Sequence, residues 1–359
     1  MTAMADPPHS RDYSLTGTDS DRARAMGLAN ADWYRSEVPR KAMKELMQRR
    51  DGPALRDTAL WIALLVASAW GGIAFWGSAA ALPFWLVYGV MYGSVCDSRW
   101  HECSHGTAFR TPWMNDVIYQ IASFMVARNP VNWRWSHARH HTDTIIVGRD
   151  PEVACKRPAN LFRLLVAYAG VLDLIDSVRV LARNALGRLS TEEKDFVPAS
   201  EWPKAILAAR LHMAVYAATL AAALVWQSWI PLMLIGLPRI FGCWHMLMTG
   251  LIQHCGLDEN VTDHRLNSRT VYMNPVSRWI YWNMNYHIEH HMFPMVPYHA
   301  LPKLHALIKH DLPAANPSIW DAYREAIPAV LRQARDPDYA FRKPLPASAR
   351  PYRETTFHG

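Results

Sequence analysis

Charged residues are scarce in this sequence. Asp, Glu, Lys and Arg make up 19% of its 359 residues, half of the residues are apolar, and 16 are Trp. Soluble proteins usually carry more charge, whereas a bundle of membrane spans with nothing outside the bilayer would carry less. The composition therefore favours a membrane protein with a substantial part outside the membrane.

Other familiar patterns are missing as well. The first 30 residues lack the apolar core of a signal peptide, and their composition is typical of disorder. The five cysteines contain no Cys-x-x-Cys pair and are odd in number. No module that reads nucleic acid bases is visible. We therefore expect reduced thiols and no nucleic acid partner.

Two long stretches of the chain are almost free of charge. Residues 58–96 contain no charged side chain, and residues 211–257 contain only Arg239. About 20 apolar residues suffice to cross a bilayer, and each stretch is interrupted near its middle, at 76–84 and at 226–231. The sequence therefore predicts four spans in two hairpins, roughly 58–77 and 82–100, then 205–226 and 231–254.

The basic residues predict the orientation of these spans. Neither hairpin turn carries Lys or Arg, whereas the segments before the first span and between the hairpins are basic. By the positive-inside tendency, both termini and the central segment lie in the cytoplasm. The net charge of +7 then reflects topology and contact with anionic lipid headgroups. We expect an integral membrane protein of a bacterial inner membrane.

The chain divides into five segments on this interpretation. They are a cytoplasmic N-terminal segment (1–56), a first transmembrane hairpin (57–100), a cytoplasmic block (101–204), a second hairpin (205–254) and a C-terminal cytoplasmic block (255–359). Charged residues interrupt the amphipathic stretch 161–186, which predicts an interfacial helix rather than a span. Two more helical patterns follow, at about 299–310 and 318–335.

Eight of the 17 histidines fall into three tight groups. The groups lie in the sequences HECSH, HARHH and HIEHH, and their members are His101, His105, His137, His140, His141, His287, His290 and His291. Residues three and four apart share one face of a helix, so each group projects its imidazoles in one direction. The predicted topology brings all three groups to the cytoplasmic face of the membrane.

Eight imidazoles are too many for one ion. A catalytic zinc ion takes three protein ligands and keeps one position open, so two ions with four or five ligands each fit the count better. Imidazole suits Fe, Zn and Cu alike, and the ligand type alone does not name the metal. The sequence predicts an all-α membrane protein with four transmembrane helices in two hairpins, whose cytoplasmic helical cap holds a histidine-rich di-metal site.

Two other kinds of metal site were compared with this pattern. HECSH matches the His-Glu-x-x-His motif of zinc peptidases, but an intramembrane zinc peptidase would leave the other six grouped histidines without a role. It would also carry Leu-Asp-Gly, whereas residues 257–259 read Leu-Asp-Glu. A carboxylate di-iron site needs two Glu-x-x-His motifs, and only Glu102 to His105 fits that spacing. The peptidase remains the more distant alternative.

The three groups and their surroundings resemble the membrane fatty acid desaturase family. HECSHGTAF at 101–109, WSHARHHTDT at 135–144 and NYHIEHHMFPMVP at 285–297 are similar to the three histidine boxes of that family, in the same order and at similar intervals. The resemblance covers roughly residues 58–310. Three boxes combined with four spans are far more specific than any single box.

The resemblance implies two non-haem iron ions held by the eight box histidines, with O2 as co-substrate. It also implies a ninth ligand near the cytoplasmic end of the fourth span, where His254 stands. His245, nine residues earlier, faces the opposite side of a helix and is expected to pack or form a hydrogen bond. No catalytic side chain is implied beyond the metal ligands.

The activity implied is the O2-dependent introduction of a double bond into a fatty-acyl chain. Hydroxylation of an alkyl chain, or decarboxylation of a fatty acid to an alkene, stays open on the same scaffold, because these outcomes diverge after the first hydrogen abstraction. The sequence contains no His-Pro-Gly-Gly, no ferredoxin-type cysteine run and no Gly-x-Gly-x-x-Gly. Electrons would therefore come from a separate ferredoxin or cytochrome.

Further residues near the boxes are candidates for supporting roles. Histidine ligands usually donate their second ring N–H to an acceptor. The candidate acceptors are Asp97, Glu102, Asp143, Asp150 and Glu289. The histidines outside the boxes are expected to pack or to form ordinary hydrogen bonds, and besides His245 they are His9, His212, His264, His299, His305, His310 and His358.

Arg239 lies inside a predicted span, where an ionisable residue is a functional hypothesis. It could hold the carboxylate or headgroup of a substrate. Alternatively, Pro238 kinks the helix and lets Arg239 reach the membrane interface, which we favour.

Overall fold

A computed structural model describes residues 11–353 of the chain. Within these residues the secondary structure is helical and contains no strand, apart from isolated bridges that join Thr270 to Tyr286 and Val271 to Asn316. The expected all-α architecture is confirmed for this part of the chain.

The N-terminal segment is folded where it is described. Helix α1 (Thr18–Ala25) has acidic residues in its first turn and basic residues in its last, which suits the helix dipole. Its Ala23 packs with Leu28 and Ile146 in a small buried cluster, and Leu15 is also buried. The expected disorder is therefore wrong for residues 11–30, while residues 1–10 lie outside the described part. Helix α2 (Arg40–Leu46) follows.

The first predicted hairpin consists of two long helical segments. Helix α3 (Asp51–Ala74) packs against α4 (Ala81–Val90), which continues as a π-helix (Met91–Val95) and then as α5 (Cys96–Ser104). The indole N–H of Trp61 on α3 donates to the carbonyl of Met91, where the π-helix begins, at 2.8 Å. The wider π-turn rotates all later side chains about the axis, and it thereby sets the face on which the first histidine box lies.

The second predicted hairpin contains one continuous helix and one broken one. Helix α11 (Trp202–Val225) matches the predicted span 205–226. The predicted span 231–254 is divided into α12 (Ile230–Leu234), α13 (Leu237–Gly242) and α14 (Trp244–Leu251). The break falls at Gly236, whose φ of +96° a side chain would strain, just before Pro238.

Three helical segments among residues 11–353 are long and apolar enough to cross a membrane. They are Arg40–Ala74, Ala199–Val225 and Ile230–Leu251. The predicted span 82–100 is helical throughout but is not one of the three, because its second half carries Ser94, Asp97, Ser98 and Arg99. The arrangement of four spans in two hairpins therefore stays a prediction.

The remaining helices are shorter and surround the histidine boxes. Between the hairpins lie α6 (Pro112–Met125), α7 (Pro130–Thr142), α8 (Leu161–Ala167), α9 (Val171–Ala185) and α10 (Thr191–Phe196), with a 3-10 turn at Ala199–Glu201. After the second hairpin come α15 (His264–Asn267), α16 (Pro275–Ile280), α17 (His287–Met292), α18 (Leu301–Ile308), a 3-10 turn at Lys309–Asp311, and α19 (Ile319–Gln333). The predicted interfacial helix 161–186 is thus two helices, α8 and α9, and the two C-terminal helical patterns correspond to α18 and α19.

Candidate metal centre

Three short helical segments carry the histidine boxes, and each is fixed by contacts outside the centre. Helix α5 is held by Ser98, whose hydroxyl donates to the carbonyl of Ile280 at 2.6 Å. Helix α7 begins at an Asn129 cap, and the amide of the same side chain donates to the carbonyl of Ala205 on α11 at 2.8 Å. On α17, the carboxylate of Glu289 accepts from the hydroxyl of Thr270 at 2.6 Å. The boxes are therefore presented by packed elements, not by free loops.

The first histidine group combines residues from all three boxes. Its ligand atoms all lie within 4.8 Å of one another, and its members are His101, His105, His137, His141 and His290. The Nε2 atom of His137 is its centre, at 3.2 Å from Nε2 of His101, 3.1 Å from that of His105 and 3.1 Å from that of His141. The Nε2 atoms of His101 and His290 are 2.8 Å apart.

The second group lies beside the first and contains the remaining four histidines. Its members are His140, His254, His287 and His291, again with ligand atoms within 4.8 Å. The Nε2 atom of His287 lies 2.9 Å from that of His254 and 3.0 Å from that of His291. Neighbouring residues of one box enter different groups, because His140 and His141 point to different sides of α7. The structure thus brings together the nine histidines expected from the sequence, divided five and four.

The Nδ1 atoms of several of these rings face acceptors. His140 Nδ1 lies 2.8 Å from Asp150 Oδ2, His137 Nδ1 lies 3.0 Å from Glu152 Oε2, and His254 Nδ1 lies 2.7 Å from the carbonyl of Asn267. An ionised carboxylate and a carbonyl can only accept, so the proton of each neutral ring is assigned to Nδ1. The Nε2 lone pairs of these three rings are then free to face the group.

Burial keeps most of these rings neutral. Desolvation, reinforced by a neighbouring histidine, lowers the pKa of His105 to about 4. The same causes hold the pKa of His137 and His291 well below the usual value. His140 is different: burial opposes its charged form, but Asp150 outweighs this effect and raises its pKa. Neutral imidazole is the form that binds metal ions.

The donor geometry fits two metal ions. Two nitrogen donors about 2.1 Å from one ion, at a right angle, lie about 3.0 Å apart. The Nε2 atoms within each group are 2.8 to 3.2 Å apart at their contacts. Where the ring proton lies on Nδ1, as assigned for His137 and His254, the Nε2 lone pair faces its neighbours and favours a cation between them. All-nitrogen donor sets of five and four suit a first-row transition metal better than Ca²⁺ or Mg²⁺.

The family model for fatty acid desaturases matches residues 78–323, which include all nine histidines. This chain belongs to the fatty acid desaturase family. The match covers more than half of the chain, and it spans both histidine groups. Together with the three long apolar helices, membership in this family indicates an integral membrane protein.

Individual desaturases are similar at low identity. The Delta(5) fatty acid desaturase fat-4 of Caenorhabditis elegans is 24% identical over 276 residues, which are 66% of this chain and 59% of that protein. The acyl-lipid omega-3 desaturase (cytochrome b5) of Arabidopsis thaliana is 23% identical over 302 residues, 77% of this chain and 75% of that protein. The Delta(12) fatty acid desaturase of Mortierella alpina is 25% identical over 153 residues, 38% of each chain. The chain thus spans little more than half of the nematode protein's length.

The candidate acceptors named from the sequence lie in different places. Asp150 contacts a box histidine, as described above. Glu102 instead accepts from the hydroxyl of Thr107 at 2.7 Å and from the backbone N–H of Tyr298 at 3.0 Å. The carboxylate of Asp143 accepts from Arg149 at 3.0 Å.

Neither of the other two candidate acceptors touches a ligand ring. Glu289 bonds to Thr270 and His305, and Asp97 makes no hydrogen bond to a box histidine within residues 11–353. The sequence interpretation missed Glu152, although it stands only two residues after Asp150.

The histidines outside the two groups have ordinary partners where they are described. The Nε2 atom of His245 lies 3.0 Å from the hydroxyl of Ser277, and His305 bonds to Tyr272 and Glu289. His212 packs edge-on to Phe124, and His310 lies 3.0 Å from the carbonyl of Leu307. The partly buried His299 packs against Tyr298. His264 is buried and packs against Trp33 and His291. His9 and His358 lie outside the described residues.

Arg239 is paired within the protein. Its side chain is only 1% exposed, and its position relative to the membrane interface stays a prediction. Its guanidinium lies 2.6 Å from the carboxylate of Asp173 on α9, and Asp173 also pairs with Arg128 at 2.9 Å. Because a protein carboxylate already holds Arg239, a substrate carboxylate has no evident place there. The ion pair joins α9 to the broken helix instead.

Proposed function

We propose that this protein is an O2-dependent di-iron desaturase that introduces a double bond into a fatty-acyl chain. The observation that carries the proposal is the convergence of nine histidines, five buried and four partly buried, into groups of five and four whose Nε2 atoms face each other. The named relatives are desaturases of fatty acids or acyl lipids, which supports an acyl chain as the substrate. The topology proposed with it is four spans in two hairpins, with the cap and both termini in the cytoplasm, in a bacterial inner membrane.

The reaction explains why the site has this composition. Removing two hydrogens from a CH2–CH2 unit consumes one O2, two electrons and two protons, and yields one double bond and two waters. An unactivated methylene offers no acidic proton and no leaving group, so acid–base side chains cannot attack it. A bound pair of iron ions would supply the oxygen reduction and the hydrogen abstraction.

The side chains of the protein would then bind the ions and orient the ligand rings. The nine imidazoles would bind the ions, and burial lowers the pKa of most of them, His137 among them, which favours the unprotonated donor. Asp150 and Glu152 accept the Nδ1 protons of His140 and His137, which fixes the orientation of both rings. The packing of α5, α7 and α17 buries five of the nine rings. The electrons would come from a separate ferredoxin or cytochrome, and the name of the Arabidopsis relative includes cytochrome b5.

The geometry speaks against a zinc peptidase. In a His-Glu-x-x-His peptidase the glutamate is the general base beside the metal. Here the Glu102 carboxylate turns away from the histidines toward Thr107 and Tyr298. In addition, His101 and His105 share their group with three histidines from the other boxes.

Metal analysis and lipid profiling test the proposal together. The purified protein should contain two iron ions per chain, one for each histidine group. Cells that express it should accumulate an unsaturated acyl chain that is absent from cells expressing the His140→Ala and His290→Ala variants. An alcohol or a terminal alkene in place of the olefinic acyl chain would assign the alternative reactions on the same scaffold. A single zinc ion per chain would overturn the di-iron proposal.

A further inference from the structure

A partly exposed indole contacts the surroundings of both histidine groups. Trp33 lies in the segment between α1 and α2 and stacks on His264 with a centroid distance of 4.2 Å and an interplanar angle of 5°. The His264 ring is 2% exposed, and its centroid lies 5.0 Å from that of His291 in the second group. Three rings in contact therefore lead from the protein surface to a candidate metal ligand.

The same indole is also connected to the first group. Its Nε1–H donates to the carbonyl of Thr142 at 2.8 Å, and Thr142 directly follows His141. Only a hydrogen bond and the Thr142 backbone thus separate Trp33 from a ligand of the first group. The partly exposed side chain of Trp33 is thus connected by contacts to both histidine groups.

A second tryptophan, Trp133, also contacts the centre, but its Trp and Tyr neighbours within residues 11–353 do not connect it to the protein surface. Trp133 stacks on His137 with centroids 4.2 Å apart, but it is only 6% exposed. Its other aromatic neighbours, Trp100 and Tyr119, are 5% and 0% exposed. This chain of rings ends inside the protein, whereas the Trp33 chain begins at the surface.

We infer that Trp33 and His264 form the electron entry route from the donor protein to the metal centre. The inference rests on the proposed function, since it requires redox-active ions in both groups. Electron tunnelling weakens with distance, and it weakens more steeply across gaps than through contacting π systems and hydrogen bonds. A donor bound over Trp33 would therefore be coupled to the centre through continuous contacts.

The step is a simple one-electron transfer. A reduced haem or iron–sulfur donor protein loses one electron, and one ferric ion in the centre becomes ferrous. Two such transfers supply the two electrons that each double bond requires. Trp33 and His264 carry the coupling and end chemically unchanged, so they are positioning residues and not catalytic ones.

Light-driven electron injection tests the route without a natural donor. A ruthenium–bipyridyl photoreductant is attached to a cysteine at position 32 in a Cys155→Ser, Asp32→Cys background, next to Trp33. The same protein then carries Trp33→Leu, Trp33→Phe or the control Trp320→Leu, whose indole is 64% exposed on α19, away from the route. Iron reduction after a light flash is followed by absorbance, and the iron content of each variant is measured.

We expect Trp33→Leu to slow flash-driven reduction about tenfold, equivalent to about 1.4 kcal/mol on the barrier. Trp33→Phe keeps a ring on His264, so its rate of flash-driven reduction should be closer to that of the parent protein. The rate of Trp320→Leu should equal that of the parent protein. Dithionite should reduce the iron fully in all variants. An unchanged flash rate in Trp33→Leu, or loss of iron in that variant alone, would overturn the route while leaving the desaturase proposal intact. Absence of reducible iron in the parent protein would instead overturn the proposed function.

Discussion

Asp150 Oδ2 lies 2.8 Å from His140 Nδ1 and accepts the backbone N–H of Ile145 at the same distance. The other carboxylate oxygen accepts the backbone N–H of Glu152 at 2.7 Å. One buried side chain therefore fixes both the loop after α7 and the ring of a candidate ligand in the second group. Its side chain is fully buried, so no water competes for these bonds.

We expect Asp150→Asn to weaken metal binding in the second group. An amide is a poorer acceptor than a carboxylate, and loss of such an outer partner usually lowers metal affinity about 10- to 100-fold. The matched control is Asp143→Asn, which alters a buried carboxylate of the same loop that pairs with Arg149 and touches no box histidine. Titration of the iron-loaded protein with a competing chelator measures the affinity. Equal affinity in the two variants would show that Asp150 only supports the loop.

The sequence predicted which histidines converge, but not how they divide. Residues four apart on a helix share a face, which places His137 and His141 in one group, whereas His140, three residues after His137, enters the other group, so the expectation that each box projects its imidazoles in one direction is wrong. Glu152 was missed because its contact with His137 depends on the path of the loop that follows α7, which no periodicity encodes. Trp33 was missed for the same reason: its partner His264 is more than 200 residues away in sequence.

The broken fourth span shows another limit of the sequence. A hydropathy pattern reports how apolar a segment is, and residues 231–254 contain no Asp, Glu, Lys or Arg besides Arg239. It does not report backbone continuity, which ends at Gly236. The pairing of Arg239 with Asp173 could not be predicted either, because it requires α9 to lie against the broken helix.

Loss of Asp173 should lower the free energy of unfolding more than loss of Arg128. Asp173→Ala leaves the buried Arg239 guanidinium without its carboxylate, whereas Arg128→Leu leaves the Arg239–Asp173 pair intact. Breaking a fully buried pair costs about 3–5 kcal/mol, and we expect less here because Asp173 is 30% exposed. Arg128 is 37% exposed, so its loss should cost under about 1 kcal/mol.

Thermal unfolding of both variants in the same detergent gives this comparison. Asp173→Ala should unfold at a clearly lower temperature than the parent, and Arg128→Leu close to it. Similar losses in the two variants would mean that Asp173 serves both arginines equally.

A close approach between the two predicted hairpins depends on a glycine. A Cβ on Gly242 of α13 would overlap the backbone carbonyl of Gly89 on α4, which no side-chain rotation can relieve. We expect Gly242→Ala to destabilise the protein by about 3 kcal/mol or more, the upper end of the range for overpacking.

The matched control is Gly250→Ala on α14. A Cβ there meets only the hydroxyl of Tyr281 at 3.9 Å, and alanine is the better helix former by about 0.5–1 kcal/mol. The yield of monodisperse protein after detergent extraction and its unfolding temperature measure both effects. A Gly242→Ala protein as stable as the Gly250→Ala protein would show that α4 and α13 separate without cost.

His254 and His245 give the sharpest test of the ligand assignment, because they lie close together in sequence but in different surroundings. His254 belongs to the group of four with His140, His287 and His291, whereas His245 bonds to Ser277 outside both groups. His254→Ala removes one of four donors, so we expect the second ion to be lost and the first to remain. Iron should fall from two ions to about one per chain, and turnover should cease, since one ion cannot complete the two-ion chemistry.

His245→Ala removes a ring of equal size and should keep both ions and most of the activity. Iron analysis with Mössbauer spectra on both proteins separates these outcomes, and a full iron complement in His254→Ala would remove this residue from the ligand set.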